Sequence, residues 1–129
     1  MARIAHDIVR IIVVEDHVDT ATMLAKLLSV FGYEVELAST AAEALALASA
    51  QPFHVIVSDV GLPDATGYDL MRRIRERTSI RGIAMSGYGS EDHIRKSREA
   101  GFREHLVKPV SVERLNDAIR HVLEHDSEP

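Results

Sequence analysis

An α/β fold built on a doubly wound, five-stranded parallel sheet is predicted by three features of this sequence. Five short runs rich in Val, Ile and Leu alternate with five stretches whose apolar residues recur at helical spacing. No linker, repeat or second zone of composition interrupts that alternation, so one domain over residues 1–129 is expected, with its core at about 8–124 and short polar termini. The apolar runs stop at acids, a hydroxyl and a lysine, and the carboxyl ends of the strands in a parallel sheet share one face.

The first strand is expected over residues 8–14, an apolar run that ends at Glu15 and Asp16. A helix follows over 18–31, with Ala21, Leu24, Ala25, Leu28 and Phe31 facing inward and Gly32 stopping it. Residues 33–38 alternate Tyr-Glu-Val-Glu-Leu-Ala, the pattern of a strand near the sheet edge. Thr40 and Glu43 have capping-box spacing and open an alanine-rich helix through Ala50, which Pro52 prevents from continuing. Residues 53–59 form a buried run ending in Asp59, and turn residues follow at once. Thr66 or Gly67 starts a third helix, with Leu70, Met71 and Ile74 inward. A fourth strand over 80–86 is weakened by Gly82 and ends at Ser86. Ser90 caps a short helix to Ala100, closed by Gly101, and residues 103–107 make a fifth strand ending at Lys108-Pro109. Ser111 caps the last helix, whose inward stripe is Val112, Leu115, Ile119, Val122 and Leu123.

Composition removes several classes of function. The chain has no cysteine, which excludes a disulfide framework, a zinc-thiolate centre and a cysteine nucleophile, and is compatible with a reducing, cytoplasmic setting. No apolar run is long enough to span a bilayer, so direct membrane association is not expected. A formal net charge of -5 with mostly interspersed acids and bases argues against direct nucleic-acid binding. The arginines at 72, 73, 75 and 77 read as the solvated face of a helix.

The strand ends carry the chemistry. Glu15, Asp16 and Asp59 would converge, and three carboxylates held together repel unless a cation joins them. Oxygen donors of this kind suit Mg²⁺, with Mn²⁺ as a substitute. Ser86 and Lys108 beside them suit a phosphoryl group, whose transfer depends on positioning and charge neutralisation. Asp59 is then the nucleophile and its product an acyl phosphate. Alone, Ser86 would be an ordinary turn residue and Lys108 a surface lysine. Their placement at successive strand ends gives them weight.

Four pieces of sequence, Val13-Val-Glu-Asp-His17, Ser58-Asp-Val-Gly-Leu-Pro63 with Gly67, Met85-Ser-Gly87 and Leu106-Val-Lys-Pro109, together resemble the receiver domains of two-component response regulators. The resemblance covers residues 8–123 and implies a flavodoxin-like strand order of 2-1-3-4-5. It implies Asp59 as phosphoacceptor, with Glu15, Asp16, Asp59 and the Gly61 main-chain carbonyl as metal ligands. Ser86 and Lys108 would contact the phosphoryl group, and the bond to Pro109 would be cis. The implied partner is a histidine kinase or histidine phosphotransfer domain, and the downstream protein effector is not specified. The wording around the fourth and fifth strands looks most like receivers at the carboxyl end of hybrid sensor histidine kinases. No helix-turn-helix follows the last helix, so an attached DNA-binding output is not expected within these residues.

One position departs from the resemblance. The aromatic switch residue three places before the lysine is His105 here, which reads either as a swinging ring or as an edge-strand histidine. Tyr88 reads as an exposed contact or a packed turn residue, and His17 as a tuner of the pocket or part of a partner surface. His17, His54, His93, His121 and His125 show no metal-ligand grouping in the sequence. Two other classes stay open: a Mg²⁺-dependent phosphatase with an Asp nucleophile, in which Gly61 stands where a second acid would be, and a protein-interaction module that needs no phosphorylation. As a receiver the chain would be mainly a substrate and switch, with intrinsic autodephosphorylation as its modest catalysis.

Overall fold

A computed structural model describes residues 8–124 as five strands alternating with five helices. The strands are β1 (Arg10–Val14), β2 (Glu34–Ala38), β3 (Val55–Asp59), β4 (Arg81–Ser86) and β5 (Phe102–Val107). The helices are α1 (Val18–Val30), α2 (Ala41–Ala50), α3 (Gly67–Arg77), α4 (Glu91–Ala100) and α5 (Val112–Glu124). All strand pairs are parallel, in the order β2-β1-β3-β4-β5 expected from the sequence. The flavodoxin-like arrangement follows from short crossovers, each helix returning the chain across the sheet.

Every residue of β3 is buried, because a parallel sheet is covered on both faces. Alternation along the strands then divides the core. Ile12, Val14 and Ile56 face Ala44 and Ala48 of α2 and Leu70, Met71 and Ile74 of α3. Ile11, Val13, Val55 and Val57 face Leu24 and Leu28 of α1 and Leu115 and Ile119 of α5. At the edge, β2 buries only Ala38 fully, as its alternating acids require.

Helix ends follow local chemistry. Thr40, Thr66, Ser90 and Ser111 each accept a backbone N–H three residues on, from Glu43, Asp69, His93 and Arg114. Gly101 closes α4 at φ 114°, a left-handed conformation that glycine adopts without strain. Gly82 has a packing role that its reading as a weak point misses: a Cβ there would lie 2.3 Å from the Met71 sulfur and 2.9 Å from the Phe102 ring.

Three expectations change. The apolar run from residue 8 exceeds the strand, because pairing with β2 starts at Arg10 opposite Glu34 and leaves Ile8 exposed. Phe31 lies beyond α1 as its C-cap and is exposed rather than part of the inward stripe. Strand β5 starts one residue early, with Phe102 buried against the α3 side of the sheet. Among the described residues no helix is long and apolar enough to cross a membrane.

Candidate phosphoryl site

At the carboxyl ends of β1, β3 and β5 the chain builds one charged pocket. Lys108 Nζ donates to Asp59 Oδ2 at 3.1 Å and stands 3.5 Å from Glu15 Oε1. Glu15 is 2% exposed, and its Oε1 has no hydrogen-bond partner. The other oxygen, Oε2, accepts the His17 backbone N–H at 3.0 Å and lies 2.9 Å from His17 Nδ1. Asp16 is more open, and its Oδ1 is 3.5 Å from the same ring nitrogen.

Burial alone would push the Glu15 carboxyl up, but the His17 hydrogen bonds and the Lys108 charge outweigh it and hold the group below the ordinary glutamate range. Burial likewise works against the Lys108 ammonium, and the hydrogen bond and charge of Asp59, joined by Glu15, raise it above the usual lysine value. His17 is raised by its hydrogen bond to Glu15 and by the Asp16 charge. An ion pair this enclosed is costly to assemble, and the remaining cost would fall if a further cation shared the acids.

Glu15, Asp16 and His17 form a cluster whose ligand atoms all lie within 4.8 Å of one another. This corrects the reading that the histidines have no metal grouping: the strand end turns so that His17 folds back over Glu15. The hard oxygen donors and the orphaned Glu15 oxygen fit a divalent cation. Gly61 sits beside the pocket, donating its N–H to Asp59 Oδ1 at 3.4 Å and bridging Thr66 across the loop. A Cβ on Gly67 would fall 2.5 Å from the Asp59 carbonyl, so this glycine permits α3 to start directly against the strand end.

Ser86 and His105 belong to a second arrangement, built from directional hydrogen bonds. The buried Ser86 Oγ accepts the Tyr88 N–H at 2.9 Å, and the Ser86 carbonyl accepts the Lys108 N–H at 2.8 Å. His105 Nε2 meets the Tyr88 carbonyl at 2.8 Å, while Nδ1 meets Ser97 Oγ on α4 at 2.6 Å. The ring is therefore fastened on both nitrogens and links the loop after β4 to α4. The Tyr88 side chain is exposed and stacks on His93 with centroids 4.9 Å apart. The Lys108–Pro109 peptide is cis.

The other histidines among the described residues have structural partners. His54 Nδ1 accepts the Arg10 N–H, His93 bonds Ser90, and His121 pairs with Glu104 at 2.7 Å; His6 and His125 lie outside the described residues. Sequence reasoning missed two residues. Ser97 is a buried hydroxyl on an otherwise polar helix, and Asp64 bonds the start of α2 from the loop after β3. A turn acid after Pro63 was the only signal for Asp64, and it does not say which helix the acid reaches.

A cleft of about 440 Å³ opens beside Lys108, bordered by Glu15, His17, Met23, Leu24 and Pro109. Such an arrangement can accept an anionic group whose charge Lys108 meets.

Comparison with known proteins gives a consistent picture. Residues 11–120 match the family described as response regulator receiver domain. The chain is 35% identical over 103 residues to an uncharacterized 14.6 kDa protein of Leptolyngbya boryana, covering 78% of this chain and 79% of that protein. It is 31% identical over 122 residues to the virulence sensor protein BvgS of Bordetella pertussis, covering 85% of this chain but 10% of the sensor. Among solved structures, a CheY-like receiver domain from Methanospirillum hungatei superposes with a TM-score of 0.87 at 30% identity, covering 95% of this chain and 98% of that one. Likeness thus extends to small receivers as well as to a large sensor, which is broader than the hybrid-kinase wording of the sequence implied.

Proposed function

This chain belongs to the response regulator receiver domain family, and from that premise we propose that it is a signalling switch that takes a phosphoryl group from a phosphohistidine onto Asp59. The observation that carries the reading is the Asp59 carboxylate at the end of β3, held by Lys108 Nζ at 3.1 Å, with Glu15 Oε1 3.5 Å from the same ammonium. The donor is the phosphohistidine of a histidine kinase or a histidine phosphotransfer domain, seated over the cleft with Met23, Leu24 and Pro109 at its rim. The Bordetella likeness supports a setting among sensor kinases, and the lack of cysteine is compatible with the cytoplasm.

An Asp59 oxygen attacks phosphorus in line, the P–N bond breaks, and the donor imidazole leaves with the electron pair. Lys108 moves its hydrogen bond from the carboxylate to the new phosphoryl oxygens. Mg²⁺, or Mn²⁺ in its place, would be held by Glu15, Asp16, Asp59 and the Gly61 main-chain carbonyl, and supplies neutralisation of the transferred charge when bound. Ser86 Oγ turns toward the phosphoryl group and releases the Tyr88 N–H it now accepts. That release frees the loop fastened by His105, and the surface of α4, β5 and α5 changes with it. Hydrolysis of the acyl phosphate restores the starting state.

The test is intact-mass analysis after incubation with a small phosphoryl donor, with and without Mg²⁺, beside an Asp59→Asn control. One adduct that needs both Mg²⁺ and Asp59 is the expected result. No adduct, together with no Mg²⁺-dependent binding of beryllofluoride, would overturn the reading.

A further inference from the structure

The loop between β3 and α3 is held unevenly. At its far end Gly67 packs against the Asp59 carbonyl and donates its N–H to the Val60 carbonyl at 2.7 Å. At its near end Gly61 has open space, since a Cβ there would meet nothing within 4 Å. Between them Asp64 reaches to another element: Oδ1 accepts the Ala41 N–H at 2.8 Å and Oδ2 the Ala42 N–H at 3.0 Å. These are the first two N–H groups of α2, and the third, from Glu43, goes to Thr40 Oγ1. A carboxylate suits this place because the unpaired donors and the positive end of the helix dipole coincide there.

We propose that Asp64 is a positioning residue for the phosphoacceptor loop, clamping its tip to the start of α2 so that Gly61 keeps its place beside Asp59, and that loading of Asp59 is felt in return at Ala41 and Ala42. Gly61 has no side chain to pack, so its position rests on its long N–H bond to Asp59 Oδ1, on the Thr66 bridge and on the clamp. If the clamp favours the loaded pocket, loading must favour the clamp by the same free energy. The proposal rests on Asp59 being the phosphoacceptor.

The experiment compares Mg²⁺-dependent beryllofluoride binding by ¹⁹F NMR in the wild type, Asp64→Ala, Asp64→Asn and Thr40→Ala. Thr40→Ala uncaps the same helix turn without touching the loop, so it reports what loss of helix stability alone does. Amide exchange at Ala41 and Ala42 is measured with and without the ligand. Asp64→Ala is expected to bind about 10-fold more weakly, Asp64→Asn less so because one acceptor oxygen remains, and Thr40→Ala as tightly as the wild type despite a lower Tm. Ligand should slow exchange at Ala41 and Ala42 in the wild type. Unchanged affinity in Asp64→Ala, or an equal loss in Thr40→Ala, would overturn the positioning role while leaving the phosphoacceptor reading intact. No binding by the wild type would overturn both.

Discussion

Two neighbouring parts of this molecule work by different physics. The pocket at the ends of β1, β3 and β5 is held by charge, with one ammonium shared between Asp59 and a buried Glu15. The chain from Ser86 through Tyr88 and His105 to Ser97 is held by directional hydrogen bonds between groups that need carry no charge. Charge acts over several ångströms and responds at once to an added phosphoryl group, whereas hydrogen bonds fail over a fraction of that distance. A receiver needs both properties: a pocket that registers the charge and a connection that either holds or lets go. Ser86 is where they meet, since its carbonyl binds the backbone of Lys108 and its hydroxyl binds that of Tyr88.

Removing the ammonium should give the largest effect. In Lys108→Met, Glu15 Oε1 would lose the ammonium that faces it while staying buried, and the Asp59 carboxylate would lose its donor. Lys108 is about a third exposed, so the loss of stability at neutral pH should be about 1–3 kcal/mol rather than the full value for a buried pair. Phosphoryl uptake should fall about 100-fold, because the donor that the proposed mechanism places on the transferred oxygens is gone. Urea unfolding and timed intact-mass analysis measure the two. A variant as stable as the wild type would mean that charge does not hold the pocket together.

The same contrast explains what could be read from the sequence. The placement of Glu15, Asp16, Asp59, Ser86 and Lys108 at strand ends was legible because an apolar run that stops at a reactive side chain marks such an end, and parallel strands end on one face. The fold was legible for the same reason. The Ser97–His105–Tyr88 link was not, because periodicity tells which face of α4 is buried but not where a ring nitrogen points. Asp64 escaped because its partners lie 22 and 23 residues away and are backbone groups, which carry no sequence signature. Phe31 misled because the helical period continued one residue past the last turn of α1.

A smaller effect is expected from breaking the hydrogen-bonded chain. His105→Phe keeps a ring but removes both hydrogen bonds, leaving the Ser97 hydroxyl, 1% exposed, without its partner. The cost should be about 1–2 kcal/mol. Uptake of the phosphoryl group should stay close to wild type, since the ring touches neither Asp59 nor Lys108, while amide exchange at Tyr88 and Gly89 accelerates before any loading. If exchange there is unchanged, the ring does not fasten the loop, and the coupling from Ser86 to α4 must run another way.

The smallest effect separates the two oxygens of Glu15. His17 binds Oε2 from an exposed position, whereas Lys108 faces Oε1. The Glu15 carboxyl is lowered in the folded chain, so its contribution is present above the ordinary glutamate range and is lost as pH falls through the lowered value. His17 is raised, so its contribution is complete below the ordinary histidine value and is lost as pH rises through the raised one. Without divalent cations, the Tm difference between the wild type and His17→Ala should therefore be greatest between about pH 5 and 6.5 and shrink on either side. Lys108 stays charged across that whole window, so Lys108→Met should lose a constant amount there. A His17 effect that is flat from pH 5 to 8 would show that the ring packs on Glu15 without pairing its charge, and would leave Lys108 as the cation that holds the buried acid.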